Sequence, residues 1–167
     1  MDGNGRWAKK RGLSRIEGHR EGVKSVRAIV ELTRELKIPV LTLFSFSSQN
    51  WFRPPSEVKA LMGMLFAYLT EEEENLLKNN IRFKVIGDRK KLSMKLKQKI
   101  KELGDKTSSN NGLILNIALN YGGREEIIKA INEIILKKRG GSIEERDFEK
   151  YLYTAGLIDP DILIRTS

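Results

Sequence analysis

Residues 2–7, Asp-Gly-Asn-Gly-Arg-Trp, are the first candidate for chemistry in the chain. Two glycines around an asparagine let the backbone turn sharply and present its N–H groups to an anion. Arg6 adds a forked donor that suits phosphate oxygens. Asp2 would repel a bare phosphate, which indicates that a Mg²⁺ ion bridges the two. The alternative is an ordinary turn, since Asn-Gly is a strong turn signal.

A second candidate lies at the start of the first long helical pattern. Residues 14–17, Ser-Arg-Ile-Glu, have capping-box spacing, so a helix is expected to begin there with Arg15 and His19 on one face. A helix N-terminus favours phosphate. Gly18 and Gly22 each cost about 1 kcal/mol of helix stability relative to alanine, which indicates close approach of a backbone or a ligand. The alternative for His19 is a solvent-facing or hydrogen-bonded structural residue.

A third candidate is the loop at 45–55, which follows a predicted strand and contains hydroxyls, amides, an indole and Arg53. In open α/β sheets, ligands bind at the carboxyl ends of strands. The alternative is a plain loop that leads into a Pro-Pro helix start. The apolar run at 60–69 is too short to cross a membrane. It predicts a fully buried helix, a subunit interface or the wall of a lipid-binding channel.

Composition narrows the function classes. The 167-residue chain carries a formal charge of +9, which favours nucleic acid, an anionic membrane surface or phosphorylated small molecules as partners. It has no cysteine and one histidine, which excludes disulfides and argues against zinc. No apolar stretch reaches the roughly 20 residues of a membrane span, and no secretory signal opens the chain, so a cytoplasmic protein is expected. The lysines at 89–101 fit a solvated helix face.

Strand patterns alternate with helix patterns along the chain. This order predicts an α/β fold, a central and mostly parallel sheet flanked by helices in a single domain. Residues 104–112 are polar and are expected to form a loop, and the spacing at 142–145 predicts another helix start. The predicted strands are 40–46, 82–86, 113–119 and 162–164, and the predicted helices are 15–37, 57–79, 89–103 and 124–138.

Taken together, the motifs resemble the cis-prenyltransferase family, and within it the bacterial undecaprenyl diphosphate synthases (isoprenyl transferases). The resemblance runs over the whole chain, and its ordered motifs make it specific. The matching strings are 1–8 (MDGNGRWA), Arg15 with Gly18-His19, 46–54 (FSSQNWFRP), 116–124 (NIALNYGGR) and 161–166 (DILIRT).

The resemblance implies a hydrophobic tunnel beside the sheet, a homodimer and dependence on Mg²⁺. It also implies condensation of isopentenyl diphosphate onto an allylic diphosphate, with farnesyl diphosphate as the expected primer, to form a long cis-polyprenyl diphosphate such as the cell-wall lipid carrier undecaprenyl diphosphate. A cytoplasmic enzyme with transient contact at the inner membrane face, where product leaves, follows from the same resemblance, and nucleic acid is not an expected partner.

The resemblance also assigns roles to individual residues. Asp2 is expected to bind Mg²⁺ and assist departure of the allylic diphosphate, and Asn50 to act at the condensation site as proton acceptor or positioning group. Arg165 is expected to hold the isopentenyl diphosphate. The remaining substrate-binding residues that it implies are Gly3, Asn4, Gly5, Arg6, Trp7, Arg15, His19, Ser47, Ser48, Gln49, Trp51 and Arg53.

The sequence departs from the family pattern in places. Gln49 stands where bacterial members often carry a glutamate. The family's first strand before Asp2 and the segment after Arg165 are not in the sequence. We therefore interpret residues 1–167 as a cis-prenyltransferase domain that lacks the first strand and the C-terminal segment.

Two alternatives come from other function classes. A nucleic-acid-binding module would fit the charge, but it predicts aromatic residues interleaved with a basic stripe, and the lysine-rich helix has none. A non-catalytic partner subunit of a prenyltransferase is the other alternative. The presence of Asp2, Arg6, Arg15, His19 and Asn50 argues against it.

Overall fold

A sheet of three parallel strands organises the protein, and its strand order is β1-β3-β2. The strands are β1 (Val40–Ser47), β2 (Arg82–Ile86) and β3 (Ile114–Tyr121). The computed structural model describes residues 3–137 and 142–166. The predicted α/β class, a parallel sheet flanked by helices, is confirmed.

Helices connect and cover the strands. A short 3-10 helix, Ser48–Phe52, directly follows β1. The α-helices are α1 (Asn4–Lys9), α2 (Arg15–Glu35), α3 (Pro55–Glu71), α4 (Glu73–Lys78), α5 (Met94–Lys106), α6 (Gly123–Lys137) and α7 (Glu145–Glu149).

The central strand is the most buried element. Six consecutive residues of β3, from Leu115 to Asn120, are buried, as expected for a parallel strand covered on both faces. In register, Leu115 lies between Leu41 of β1 and Phe83 of β2. The side chains at 115, 117 and 119 belong to one apolar core with residues of α2, α3 and α5. This core fixes the sheet and thereby the ends of its strands.

Because all three strands run in the same direction, the sheet has two chemically distinct ends. We call the end where the strands finish the carboxyl edge, and the end where they begin the amino edge. The loop after β1 and the start of α6 leave from the carboxyl edge, while the turns before β2 and β3 lie at the amino edge.

The predicted helix start at 14–17 is confirmed. The Ser14 Oγ accepts a hydrogen bond from the Glu17 amide at 3.3 Å, and a Glu17 carboxylate oxygen accepts from the Ser14 amide at 2.8 Å. Each bond satisfies an amide that a helix start leaves without an intrahelical partner.

Several predicted elements are wrong in part. The helix expected over 57–79 is divided at Glu72, whose buried carboxylate accepts hydrogen bonds from Arg27 and Asn75. The last predicted strand, 162–164, is irregular chain, and Leu163 is 94% exposed there. A strand requires a neighbour for its backbone groups, and an apolar triplet alone does not supply one.

Two helix boundaries also differ from prediction. Glu144 rather than Ser142 is the N-cap of α7, and no side-chain hydrogen bond caps it. The helix expected from residue 89 begins at Met94, because the Ser93 Oγ caps it by accepting from the Leu96 amide at 3.3 Å. It continues to Lys106, into the segment predicted as a loop. Within the described residues, no helix is both long and apolar enough to span a membrane.

Candidate functional site

The glycines of α2 are explained by the packing of α1 against it. A Cβ atom on Gly18 would lie 2.3 Å from the main-chain carbonyl oxygen of Asn4, and one on Gly22 would lie 2.5 Å from the side-chain nitrogen (Nδ2) of Asn4. Of the two explanations left open by the sequence, a backbone or a ligand, the close neighbour here is α1. The glycines therefore hold the first motif against α2.

This packing places the first motif beside the second. Gly3 has φ 85° and is the N-cap of α1, so the expected glycine-rich turn is the start of a short helix. Its first-turn N–H groups have no preceding helical carbonyl to bond. A Cβ on Gly5 would be 3.5 Å from Cγ of Arg15. Arg6 and Trp7 are exposed, and Asp2 lies outside the described residues.

A carboxylate, Glu57, joins the second motif to the third. Arg15 Nη1 lies 3.4 Å from Glu57 Oε2, and Arg53 Nη1 lies 3.1 Å from Glu57 Oε1. The Glu57 side chain is only 12% exposed, whereas that of Arg15 is 65% exposed. Because Arg53 follows the end of β1, this bridge holds the start of α2 at the carboxyl edge. Glu57 thus holds the Arg15 and Arg53 guanidinium groups close to each other.

His19 is half-buried one turn after Arg15. Burial lowers the pKa of its imidazole below 6.5, and the positive charge of Arg53 lowers it further. The negative charge of Glu57 opposes this shift. The imidazole is therefore mainly neutral at pH 7 and can take up a proton when an anion binds beside it.

The 3-10 helix after β1 holds the third motif in a defined conformation. The Ser47 Oγ accepts from the Gln49 amide at 3.2 Å, and the Asn50 Oδ1 accepts from the Ser47 amide at 3.1 Å. The Ser48 hydroxyl donates to Glu125 at the start of α6 at 2.8 Å, and Gln49 is exposed. The capping bonds fix the direction of the Asn50 side chain.

Three residues of this region were missed by the sequence analysis: Glu57, Glu125 and Asn120. Glu57 lies four residues after Arg53 at a Pro-Pro helix start, so i,i+4 spacing could have indicated it. Glu125 and Asn120 are 77 and 69 residues away from their partners, Ser48 and Trp51. No local pattern relates such distant positions.

A buried carboxylate ties the C-terminal segment to the end of β3. Glu126 is 6% exposed and accepts hydrogen bonds from the Tyr121 hydroxyl and the Tyr153 amide, each at 2.5 Å. Burial, together with the negative charge and the hydrogen bond of Glu126, raises the pKa of Tyr121. Further along this segment, Arg165 is exposed.

The structure thus brings three separate motifs together at the carboxyl edge. They supply two oriented guanidinium groups, a neutral imidazole, a helix start and the amide of Asn50. Such a set is suited to an anion with several oxygen atoms, because forked donors match phosphate geometry and a neutral imidazole can be protonated as the anion binds. The place of Arg165 beside this set stays a prediction.

Comparison with known proteins identifies the family. The family model described as putative undecaprenyl diphosphate synthase matches residues 1–167. An isoprenyl transferase of Fusobacterium nucleatum is 48% identical over 167 residues, covering all of this chain and 72% of the relative. A ditrans,polycis-undecaprenyl-diphosphate synthase of Vibrio parahaemolyticus, described as (2E,6E)-farnesyl-diphosphate specific, is 45% identical over 172 residues, covering all of this chain and 68% of the relative.

Solved structures agree with this result. Lavandulyl diphosphate synthase from Lavandula x intermedia, in complex with dimethylallyl diphosphate, matches with a TM-score of 0.88 and 34% identity over 92% of this chain and 68% of that one. A probable undecaprenyl diphosphate synthase from Campylobacter jejuni matches with a TM-score of 0.73 and 36% identity over 80% of this chain and 64% of that one. The chain therefore belongs to the undecaprenyl diphosphate synthase family of prenyltransferases.

Proposed function

We propose that this protein condenses isopentenyl diphosphate with an allylic diphosphate and elongates it in cis to a long polyprenyl diphosphate such as undecaprenyl diphosphate. The single observation that carries the proposal is the Arg15–Glu57–Arg53 bridge beside Gly5 and His19. Glu57 holds the two guanidinium groups together, and the Arg15 side chain lies beside Gly5 of α1, so a diphosphate bound there would accept hydrogen bonds from both.

Relatives support the choice of substrates. One relative is described as specific for farnesyl diphosphate, and a solved neighbour holds dimethylallyl diphosphate. Both molecules are allylic diphosphates, which fits a cationic site followed by an apolar surface. We therefore propose farnesyl diphosphate as the primer of this protein.

In the proposed reaction the allylic carbon–oxygen bond breaks, and its electron pair leaves with the diphosphate. The double bond of isopentenyl diphosphate supplies the electrons for the new carbon–carbon bond, and a proton is then lost. Arg15, Arg53 and the first-turn amides of α1 stabilise the charge that grows on the leaving group. Asn50, fixed by its bond from Ser47, would orient the condensing group or receive the proton. Arg165 would hold the isopentenyl diphosphate.

A divalent metal ion would be held at this site partly by oxygen atoms of the bound diphosphate. The described residues contain no group of three acidic or histidine side chains able to hold a metal ion. Mg²⁺ needs only one or two carboxylates when substrate phosphates supply other oxygens, and the arrangement of cationic donors fits such a diphosphate. We propose that Asp2 holds Mg²⁺ in this way. When bound, the ion would neutralise charge on the leaving diphosphate.

The prenyl chain would lie along α3. Leu61, Met62, Leu65 and Phe66 of this helix are only partly buried and pack against the core. The helix is therefore not the fully buried one that its composition allowed. A half-buried apolar surface next to the carboxyl edge supports the tunnel of the family, in which a growing chain is shielded from water.

We also propose a homodimer and transient contact with the inner membrane face. The described part of α6 exposes apolar side chains, including Ile128 at 58%, Ile135 at 64% and Leu136 at 83%. A contiguous apolar face of this kind is typical of an interaction surface. The contact with the membrane would serve release of a water-insoluble product.

Incubation of the full chain with labelled isopentenyl diphosphate, farnesyl diphosphate and Mg²⁺ tests the proposal. We expect labelled polyprenyl diphosphate, which is lost on chelation of the metal and falls by roughly 10²-fold or more in Asp2→Ala. Lys106→Ala, at the amino edge, is the matched control and should keep full activity. No labelled lipid from the wild-type chain, or equal yield from Asp2→Ala, would contradict the proposal.

A further inference from the structure

Asn120, at the end of β3, has an unusual backbone conformation. Its φ is 51°, in the left-handed region, and the residue is only 7% exposed. Residues other than glycine seldom adopt this region, and where they do near a functional site, the surrounding contacts hold them there. The contacts of Asn120 therefore explain why the backbone adopts this conformation here.

Those contacts join three segments of the carboxyl edge. The side-chain amide nitrogen of Asn120 donates to the Asp88 carbonyl oxygen at 2.6 Å. Its side-chain oxygen accepts from the Trp51 indole nitrogen at 2.7 Å. Its main-chain oxygen accepts from the Asp88 amide at 3.2 Å. Since an indole only donates and a carbonyl only accepts, the side chain can satisfy both partners in one orientation.

The segment after β2 provides a rigid support for this contact. A Cβ on Gly87 would be 2.1 Å from the Leu119 carbonyl oxygen, so the chain passes directly against the end of β3. Gly87 has φ 111°, which other residues rarely adopt. Asp88, which follows it, is then bonded to Asn120 at both its amide and its carbonyl.

Trp51 belongs to the 3-10 helix and connects it to Asn120. Its ring packs edge-on against Phe46 with centroids 5.2 Å apart, and Lys91 Nζ lies 5.9 Å from the ring centroid. Trp51 is next in sequence to Asn50 within a helix of only five residues. The hydrogen bond from Trp51 to Asn120 therefore anchors the backbone segment that also carries Asn50.

We propose that Asn120 is a positioning residue, which holds the 3-10 helix and its Asn50 in register for condensation through the hydrogen bond from Trp51. This inference rests on the proposed function. Asn120 does not touch the diphosphate groups in this scheme, so its loss should lower kcat and leave the KM for the allylic diphosphate unchanged.

The test compares Asn120→Gly with Asn80→Gly. Glycine accepts the left-handed conformation at both positions, so each change removes the side chain without straining the backbone. Asn80 has φ 56°, and its side chain also forms a hydrogen bond to another segment of the chain, at Asn111. This contact lies at the amino edge. We expect kcat of Asn120→Gly to fall by roughly 10- to 100-fold, as for a small misplacement of a reacting group, while Asn80→Gly keeps the wild-type value.

A double-mutant cycle with Trp51→Phe assigns the effect to the hydrogen bond. Phenylalanine retains an aromatic ring against Phe46 but cannot donate to Asn120. If the bond carries the effect, the double variant has a kcat close to that of the worse single variant. Wild-type kcat in Asn120→Gly, or losses that multiply in the double variant, would overturn the inference.

The NMR resonance of the Trp51 indole N–H tests the role of Asn120 by a measurement that does not depend on the proposed function. Trp7→Phe leaves Trp51 as the only tryptophan, since the chain has two. In that background, we expect Asn120→Gly to shift the indole N–H resonance and increase quenching of the fluorescence by acrylamide. A wild-type chain without turnover would contradict the proposed function, and an unchanged resonance would overturn the role of Asn120.

Discussion

The two edges of the sheet contain similar structural devices. At the amino edge, Asn80 has φ 56°, and its side chain donates to Asn111 Oδ1 at 2.7 Å and accepts from the Asn111 main-chain amide at 3.0 Å. At the carboxyl edge, Asn120 has φ 51° and bonds Trp51 and Asp88. Each edge also has a glycine placed tightly against a carbonyl oxygen, Gly112 at the first and Gly87 at the second.

The difference lies in what the asparagines hold. Asn80 is exposed and joins the turn before β2 to the turn before β3. Asn120 is buried and reaches the helix after β1, which carries candidate site residues. Parallel strands bring their carboxyl ends together, and ligands bind there. A left-handed asparagine therefore becomes part of the candidate site at the carboxyl edge, whereas at the amino edge it only joins two turns.

The largest expected contrast comes from Arg53→Ala, which removes one of the two oriented cations at the carboxyl edge. We expect kcat/KM for farnesyl diphosphate to fall by about 10²-fold, because a donor to the developing charge is lost. Steady-state kinetics with labelled substrate measure this change.

Arg82→Ala is the matched control for Arg53→Ala. Arg82 begins β2 at the amino edge, so the same loss of a guanidinium group should leave kcat/KM within about threefold of wild type, as expected for a charge remote from the leaving group. Equal losses in the two variants would show that net charge, rather than the carboxyl edge, governs activity.

A smaller contrast concerns pH, because the chain has a single histidine and it lies at the carboxyl edge. The pKa of His19 is lowered in the folded protein by burial, with Arg53 and Arg15 adding to the effect and Glu57 opposing it. The unfolded chain therefore binds more protons as pH falls through about 6.5. The contribution of His19 to the free energy of unfolding is therefore fully present above about pH 6.5 and is lost as the pH falls below that value.

Urea unfolding of the wild type and His19→Gln at pH 8 and pH 5.5 measures this contribution. We expect the wild type to lose more unfolding free energy between the two pH values than the variant does. Identical losses would mean that His19 has the same pKa in the folded and unfolded chains.

The smallest expected effect belongs to an ion-pair cluster at the amino edge. Lys106 and Lys99 each lie 2.5 Å from a carboxylate oxygen of Glu73, and their hydrogen bonds lower the pKa of that carboxyl group. Glu73→Gln should reduce the unfolding free energy by at most about 1 kcal/mol, a typical value for partly exposed pairs.

Denaturant unfolding and the prenyl-transfer assay together check Glu73→Gln. The stabilisation should be present above pH 4.5 and disappear as pH falls through the lowered pKa of Glu73, while activity near neutral pH stays at the wild-type value. A tenfold loss of activity would contradict the separation between the two edges.

Much of the fold could be predicted from the sequence because its signals are local. The apolar runs at 40–46, 82–86 and 113–119 are strands within one or two residues of the predicted bounds, and the capping box at Ser14 is formed. The triplet at 162–164 shows the limit of such reasoning, since hydrophobic residues alone do not provide a pairing partner.

By itself, the sequence determined the α/β class and the motifs at 2–7, 15–19 and 46–54 that indicate a diphosphate site. Only the tertiary structure decided how these three motifs meet: Gly18 and Gly22 let α1 pack against α2, and Glu57 joins Arg15 to Arg53. It alone revealed Asn120, because a hydrogen bond across 69 residues depends on the register of three strands. Spacing along a chain encodes helices and strands, but contacts between distant residues arise only when the sheet brings its strand ends together.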